Sequence, residues 1–139
     1  MKLDIGCGTQ KRDEDYVGVD AHVEGADVKA EMWDLPYKDG EVDSIWSSHA
    51  LEHAPQAKVS PTLKEWLRVL RPGGRLIVQV PNFDYVAKYW LTGPDRAWAE
   101  AMVFGHQAHE GEFHKCAFTS AILRADLEAA GFIVKRVEM

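Results

Sequence analysis

The sequence predicts an α/β fold, a mostly parallel sheet of about six strands with flanking helices. Three observations predict it. Short apolar runs end at Gly or Asp, helical patterns alternate with those runs, and the turn Asp4-Ile5-Gly6-Cys7-Gly8 follows the first run directly.

The first run is Lys2 to Ile5, stopped by Gly6, and the second is Tyr16-Val17-Gly18-Val19, stopped by Asp20. A weaker third covers Ala26 to Met32, and a fourth, Val42 to Ser47, follows the turn Lys38-Asp39-Gly40. Ser60-Pro61 predicts a helix start, with Leu63, Trp66, Leu67 and Leu70 as its apolar stripe and Pro72-Gly73-Gly74 as its end. Arg75 to Val80 is continuously apolar between Gly74 and Pro81, which predicts a strand in the centre of the sheet. Residues 82–111 are rich in aromatics and His, and read as an inserted, partly helical cap within a single domain of residues 1–139. A helix over about Ser120 to Ala130, ended by Gly131, and a last strand over Phe132 to Val137 complete the pattern.

The 139 residues suffice for one sizeable core, and 46% hydrophobic with 27% charged residues is a globular balance. No apolar run is long enough to cross a bilayer, and no apolar leader is visible at the start, so membrane partners are not expected and the expected compartment is the cytoplasm. Cys7 and Cys116 are then expected to be free thiols. A net charge of -6 disfavours binding along a nucleic-acid backbone; Lys64, Arg68, Arg71 and Arg75 read as a solvated helix face.

Candidate chemistry gathers at the strand ends. Gly6 and Gly8 let the chain turn sharply and let a ligand approach its backbone. Asp20 ends the second run, where a carboxylate can accept from both hydroxyls of a ribose; Asp34-Leu35 follows the third, with a carboxylate for an adenine amino group beside an apolar side chain for the ring.

Leu3-Asp4-Ile5-Gly6-Cys7-Gly8 resembles the first motif of class I S-adenosylmethionine-dependent methyltransferases, and Asp20 and Asp34 resemble that family's ribose and adenine carboxylates. Val42 through His53, with its Leu51-Glu52-His53 element, and Leu67 through Leu76, with Pro72-Gly73-Gly74, are similar to the small-molecule branch often called type 11. The resemblance implies a Rossmann-like fold, S-adenosylmethionine as cofactor and a small-molecule methyl acceptor. It implies Asp4, Gly6, Cys7 and Gly8 at the cofactor's amino-acid end, Asp20 and Ala21 at its ribose, Asp34 and Leu35 at its adenine, and Ser48 and His49 near its sulfonium.

The pattern also departs from the family. Gln10 and Lys11 stand where a further glycine is usual, which disfavours a nicotinamide oxidoreductase. Only Thr9 to Asp15, five of them charged, separate Gly8 from Tyr16, whereas a parallel crossover takes about a dozen residues. The first crossover helix is therefore expected to be shortened or missing, and the bared sheet face to be covered by the aromatic insert or by a second copy in a homodimer. The C-terminal hairpin of the family is expected to be reduced. These losses leave a rival reading, a catalytically silent cofactor-binding or interaction module. His49 and His114 are the candidate general bases for the acceptor's proton, His53 reads as structural, and Trp90 and Trp98 are candidates for stacking on a substrate. No standard zinc spacing occurs among His106, His109, His114 and Cys116, so no metal is expected.

Overall fold

The computed structural model describes residues 1–138. Five strands form one wholly parallel sheet: β1 (Lys2–Ile5), β2 (Tyr16–Asp20), β3 (Val28–Lys29), β4 (Val42–Ser48) and β5 (Leu70–Gln79), in the order β3-β2-β1-β4-β5. Four helices accompany them, α1 (Gln56–Val69), α2 (Phe83–Thr92), α3 (Arg96–Phe104) and α4 (Ser120–Ala130). This is the expected α/β, Rossmann-like architecture.

Leu3, Ile5, Val19, Val42 and Ile45 put the sheet's apolar side chains into a core that α1 closes with Val59, Leu63, Trp66 and Val69. Helix α4 packs on α1, with its first turn capped by the Thr119 side chain on Ile122 N–H and its end formed by Gly131 in the left-handed region, at φ 111°.

Four expectations about elements are corrected. Helix α1 starts at Gln56 after Pro55, with Pro61 inside it, so Ser60-Pro61 is not its start. Pro61 removes one helical hydrogen bond, but it and Ala57, whose carbonyl goes unserved, are exposed, so water reaches that carbonyl while Val59 and Leu63 anchor the turn to the core. Second, Pro72-Gly73-Gly74 does not end α1; β5 pairs Leu70 with Val42 and Arg75 with Ser44, so the tripeptide bulges out between two paired stretches. A side chain at Gly74 would meet Arg71 O at 2.8 Å. Third, β5 lies at the sheet's edge rather than its centre. Fourth, Phe132 to Val137 is not a strand among the described residues, which is why β5's outer edge gains no neighbour and the sheet has five strands, not six.

The connection from β1 to β2 contains no helix. It folds back on itself through side-chain bonds to backbone: Asp4 accepts from Arg12 N–H at 2.7 Å, Asp27 from Gly18 N–H at 2.8 Å, and Lys11 pairs with Asp27 at 3.1 Å. A cavity of about 470 Å³ remains between this loop, Gly18 and residues 25–27. The aromatic segment does not fill it. Helices α2 and α3 pack on each other, and the segment's links to the sheet side run from Phe83 to Phe118 and from Gly111 to His22.

Candidate active site

In the order β3-β2-β1-β4-β5 the chain winds outward from β1 in both directions, so the connections leaving β1 and β4 depart to opposite sides and open a crevice at their C-terminal ends. The glycine turn occupies that point. Gly6 has φ 74°, and a Cβ there would run into the Cβ of Ala50, just past β4. The two loops therefore touch only because residue 6 is glycine. Gly8, at φ 58°, has nothing within 4 Å of where its Cβ would stand, so the backbone there borders open space.

Asp4 lies in β1, buried, and burial raises its pKa against the opposing hydrogen bond from Arg12 N–H. Asp20 ends β2 and shapes the turn: one oxygen accepts from Gly8 N–H at 3.0 Å, the other from His22 and Val23 N–H at 2.8 and 3.2 Å. Ala21 follows it in the same turn. Cys7 is a free thiol whose pKa burial, then Asp20 and Asp4, push up to about 11, which makes it a poor nucleophile.

Asp34 is exposed in the turn after β3, and Leu35 beside it is buried. Its side chain belongs to the core and its N–H donates to Glu65 at 2.9 Å. The carboxylate nearer the β3 end is Glu31, directly after Ala30, whose N–H donates to Asp20 O. Sequence reasoning passed over Glu31 because the third run was drawn through to Met32; the strand stops at Lys29.

Ser48 is the last residue of β4, and its hydroxyl donates to Gln79 Oε1 at 3.0 Å. His49 follows at φ 53°, in a region that non-glycine residues seldom occupy and that clusters at functional sites. Its N–H is held by Gln79 O, and its ring stands 3.3 Å from Glu52 Oε1, a charge contact that raises the imidazole pKa. His114 approaches the same oxygen from the other side, 3.9 Å away. The structure thus brings the two candidate bases around one buried carboxylate, Glu52 of the Leu51-Glu52-His53 element. His53 is held by Phe113 O, 3.1 Å from its Nδ1, and burial lowers its pKa. Trp98 packs edge-on against Tyr89 at 4.7 Å, and Trp90 against Phe104 at 6.1 Å; both serve an aromatic cluster of α2 and α3.

The basic residues of α1 and its exit are engaged locally: Arg68 bonds Glu65, Asp39 and Tyr37 O, and Arg71 bonds Asp43. No helix among the described residues is long and apolar enough to cross a membrane.

A parallel sheet in this order, with a glycine turn after β1 and a carboxylate at the end of β2, belongs to the Rossmann-like α/β class, which includes S-adenosylmethionine-dependent methyltransferases. The chain belongs to the methyltransferase-domain family, whose model matches residues 3–78. Among solved structures, an S-adenosylmethionine-dependent methyltransferase of Thermotoga maritima, described as a possible histamine N-methyltransferase, superposes with a TM-score of 0.68 at 19% identity, over 96% of this chain and 64% of that one. An S-adenosylmethionine-dependent methyltransferase from Methanosarcina mazei gives 0.65 at 22% identity, over 97% and 80%. These two share the fold. The sarcosine/dimethylglycine N-methyltransferase of Halorhodospira halochloris is 41% identical over 64 residues, which are 46% of this chain and 22% of that enzyme. The chain thus corresponds to a small part of that relative's length.

Proposed function

We propose that this chain transfers a methyl group from S-adenosylmethionine to a small-molecule acceptor. The observation that carries the proposal is the Gly6 to Ala50 approach at the point where the sheet's winding reverses, with Gly8 facing open space beside it. The donor set fits the cofactor. A carboxylate offers roughly four lone-pair positions, and Asp20 uses three on backbone N–H groups, leaving one for a ribose hydroxyl. Glu31 or Asp34 would accept from the adenine amino group, the backbone of residues 6–8 would border the amino-acid end, and Asp4 would keep that turn in place through Arg12.

S-adenosylmethionine supplies an electrophilic methyl on a positively charged sulfur. The protein's part is to align the acceptor with it and to take the acceptor's proton where one is lost. His49 is the base that we place there: its strained backbone sets the ring at the β4 end, and Glu52 Oε1 stabilises the imidazolium once the proton arrives. The acidic surface and the local pairing of Arg68 and Arg71 support a small molecule over a nucleic acid as acceptor. The two free thiols agree with a cytoplasmic setting. The space left beside the β1–β2 loop supports a second copy of the chain as its cover, which light scattering would show as a dimer.

Calorimetry with S-adenosylmethionine and S-adenosylhomocysteine is the primary test. Both are expected to bind, and Gly6→Ala, which forces the Ala50 loop away, to bind at least about tenfold more weakly. Absence of binding to either compound overturns the proposal. Binding without labelled-methyl transfer to any member of a metabolite set would replace it by the silent cofactor-binding module.

A further inference from the structure

Glu52 sits in the 3-10 turn Leu51–His53, is 1% exposed, and neither of its carboxylate oxygens accepts a hydrogen bond of good geometry. A buried carboxylate in that condition calls for a positive partner, because burial without one is among the costliest arrangements a core can hold. What surrounds it is imidazole, and the nearest ring is His49, whose Nδ1 stands 3.3 Å from Glu52 Oε1. His114 Nε2 stands 3.9 Å from Glu52 Oε1, and the His53 and His114 rings meet edge to face at 4.8 Å.

Both rings are fixed from behind. His53 Nδ1 lies 3.1 Å from Phe113 O and His114 Nδ1 lies 2.9 Å from Met102 O. A carbonyl only accepts, so each Nδ1 must carry the proton and each Nε2 is left with a free lone pair. A backbone carbonyl on one nitrogen, leaving the other bare, is the outer-shell pattern that orients metal-binding histidines. One ligand atom from each of Glu52, His53 and His114 lies within 4.8 Å of the other two. Ligands about 2.1 Å from a tetrahedral ion stand about 3.4 Å apart, so closure needs shifts on the order of an ångström. A cavity of about 10 Å³ borders Glu52 and His114, room for one small occupant.

We propose that Glu52, His53 and His114 form a binding site for one divalent transition-metal ion, of the zinc class. Two nitrogens and one carboxylate select such an ion over calcium or magnesium, which prefer all-oxygen sets, and three protein ligands leave a fourth position open. The ion would clamp the turn after β4 to the segment leading into α4, a junction already marked by Lys115 and Cys116 N–H groups donating to Glu52 O. The site shares Glu52 with the His49 pair of the proposed function, but uptake of the ion does not itself require methyl transfer.

The test is a Zn²⁺ titration by calorimetry of the full chain after chelator treatment, with S-adenosylhomocysteine binding measured on the same metal-free preparation. One equivalent of Zn²⁺ is expected to bind, and His53→Ala and Glu52→Gln each to weaken it at least about tenfold. Alanines at His22 and His109, a second histidine pair 6.3 Å apart, are expected to leave binding unchanged. Co²⁺ is expected to give absorption bands of a low-symmetry site that His53→Ala abolishes. His53 is only partly buried, so this variant keeps the test decisive if Glu52→Gln fails to fold. No stoichiometric uptake of Zn²⁺ or Co²⁺, or uptake that survives His53→Ala and disappears with the His22 and His109 alanines, overturns the proposal, whatever the cofactor result.

Discussion

The link from β1 to β2 and the link from β4 to β5 join neighbours in one arm of the same parallel sheet or the other, yet they are held by different physics. Between β4 and β5 the chain spends 21 residues, 49–69, and builds α1, which buries Val59, Leu63, Trp66 and Val69 against the sheet. Between β1 and β2 it has ten, 6–15, and builds no helix. There, Asp4, Asp20 and Asp27 each accept backbone N–H groups, and Arg12 lays its guanidinium 3.7 Å over the Trp46 ring. Apolar burial holds one crossover; carboxylates and a cation over a ring hold the other. The second arrangement leaves a cavity beside the loop where the first leaves a packed core.

The comparison breaks most readily at Trp66. Its ring is fully buried, and its indole N–H donates to Met32 O at 3.0 Å, so Trp66→Ala removes the largest side chain of the α1 face and orphans a carbonyl under β3. A loss of about 3–5 kcal/mol is expected in a denaturant melt. A loss below about 1 kcal/mol would show that α1 is not what secures the β4–β5 half.

The polar crossover answers to Arg12. Arg12→Ala removes the cation from over Trp46 but keeps the backbone N–H that Asp4 uses, so the expected loss is about 0.5–2 kcal/mol, smaller than at Trp66. Arg12→Lys should recover part of it. A larger indole fluorescence change in Arg12→Ala than in Arg12→Lys would tie the effect to the ring; equal changes in both would assign it to the loop backbone.

Much of this contrast was legible in the residues. Gly6, Gly8 and Asp20 announce a tight turn at the strand ends by type and spacing, and seven residues from Thr9 to Asp15 exclude a full crossover helix. What was not legible depends on distant partners. Pro61 reads locally as a helix start, and only the burial of Val59 and Leu63 on either side of it shows the helix running through. The apolar Leu76-Ile77-Val78 run reads as a central strand, but whether a strand becomes an edge is decided by the pairing of other segments. Glu31 carried no expectation because β3 is two residues long, and no local signal marks where so short a strand stops. The approach of His114 to Glu52 joins two remote segments that carry no common spacing.

The smallest expected effect lies at a polar tie within the apolar half. Glu65, on α1, accepts from Leu35 N–H at 2.9 Å and from Arg68 at 2.7 Å, so helix and β3–β4 connection share one carboxylate. The Arg68 hydrogen bond, ahead of the opposing burial, lowers the Glu65 pKa below its ordinary 4.5. A lowered folded-state pKa contributes stability that is present above 4.5 and lost as pH falls through the folded value. Wild type should therefore melt above Glu65→Gln at neutral pH, with the gap narrowing as pH drops below 4.5. If the gap instead stays constant from neutral to acid pH, the carboxylate's charge is irrelevant there, and the amide is simply a poorer acceptor for two donors.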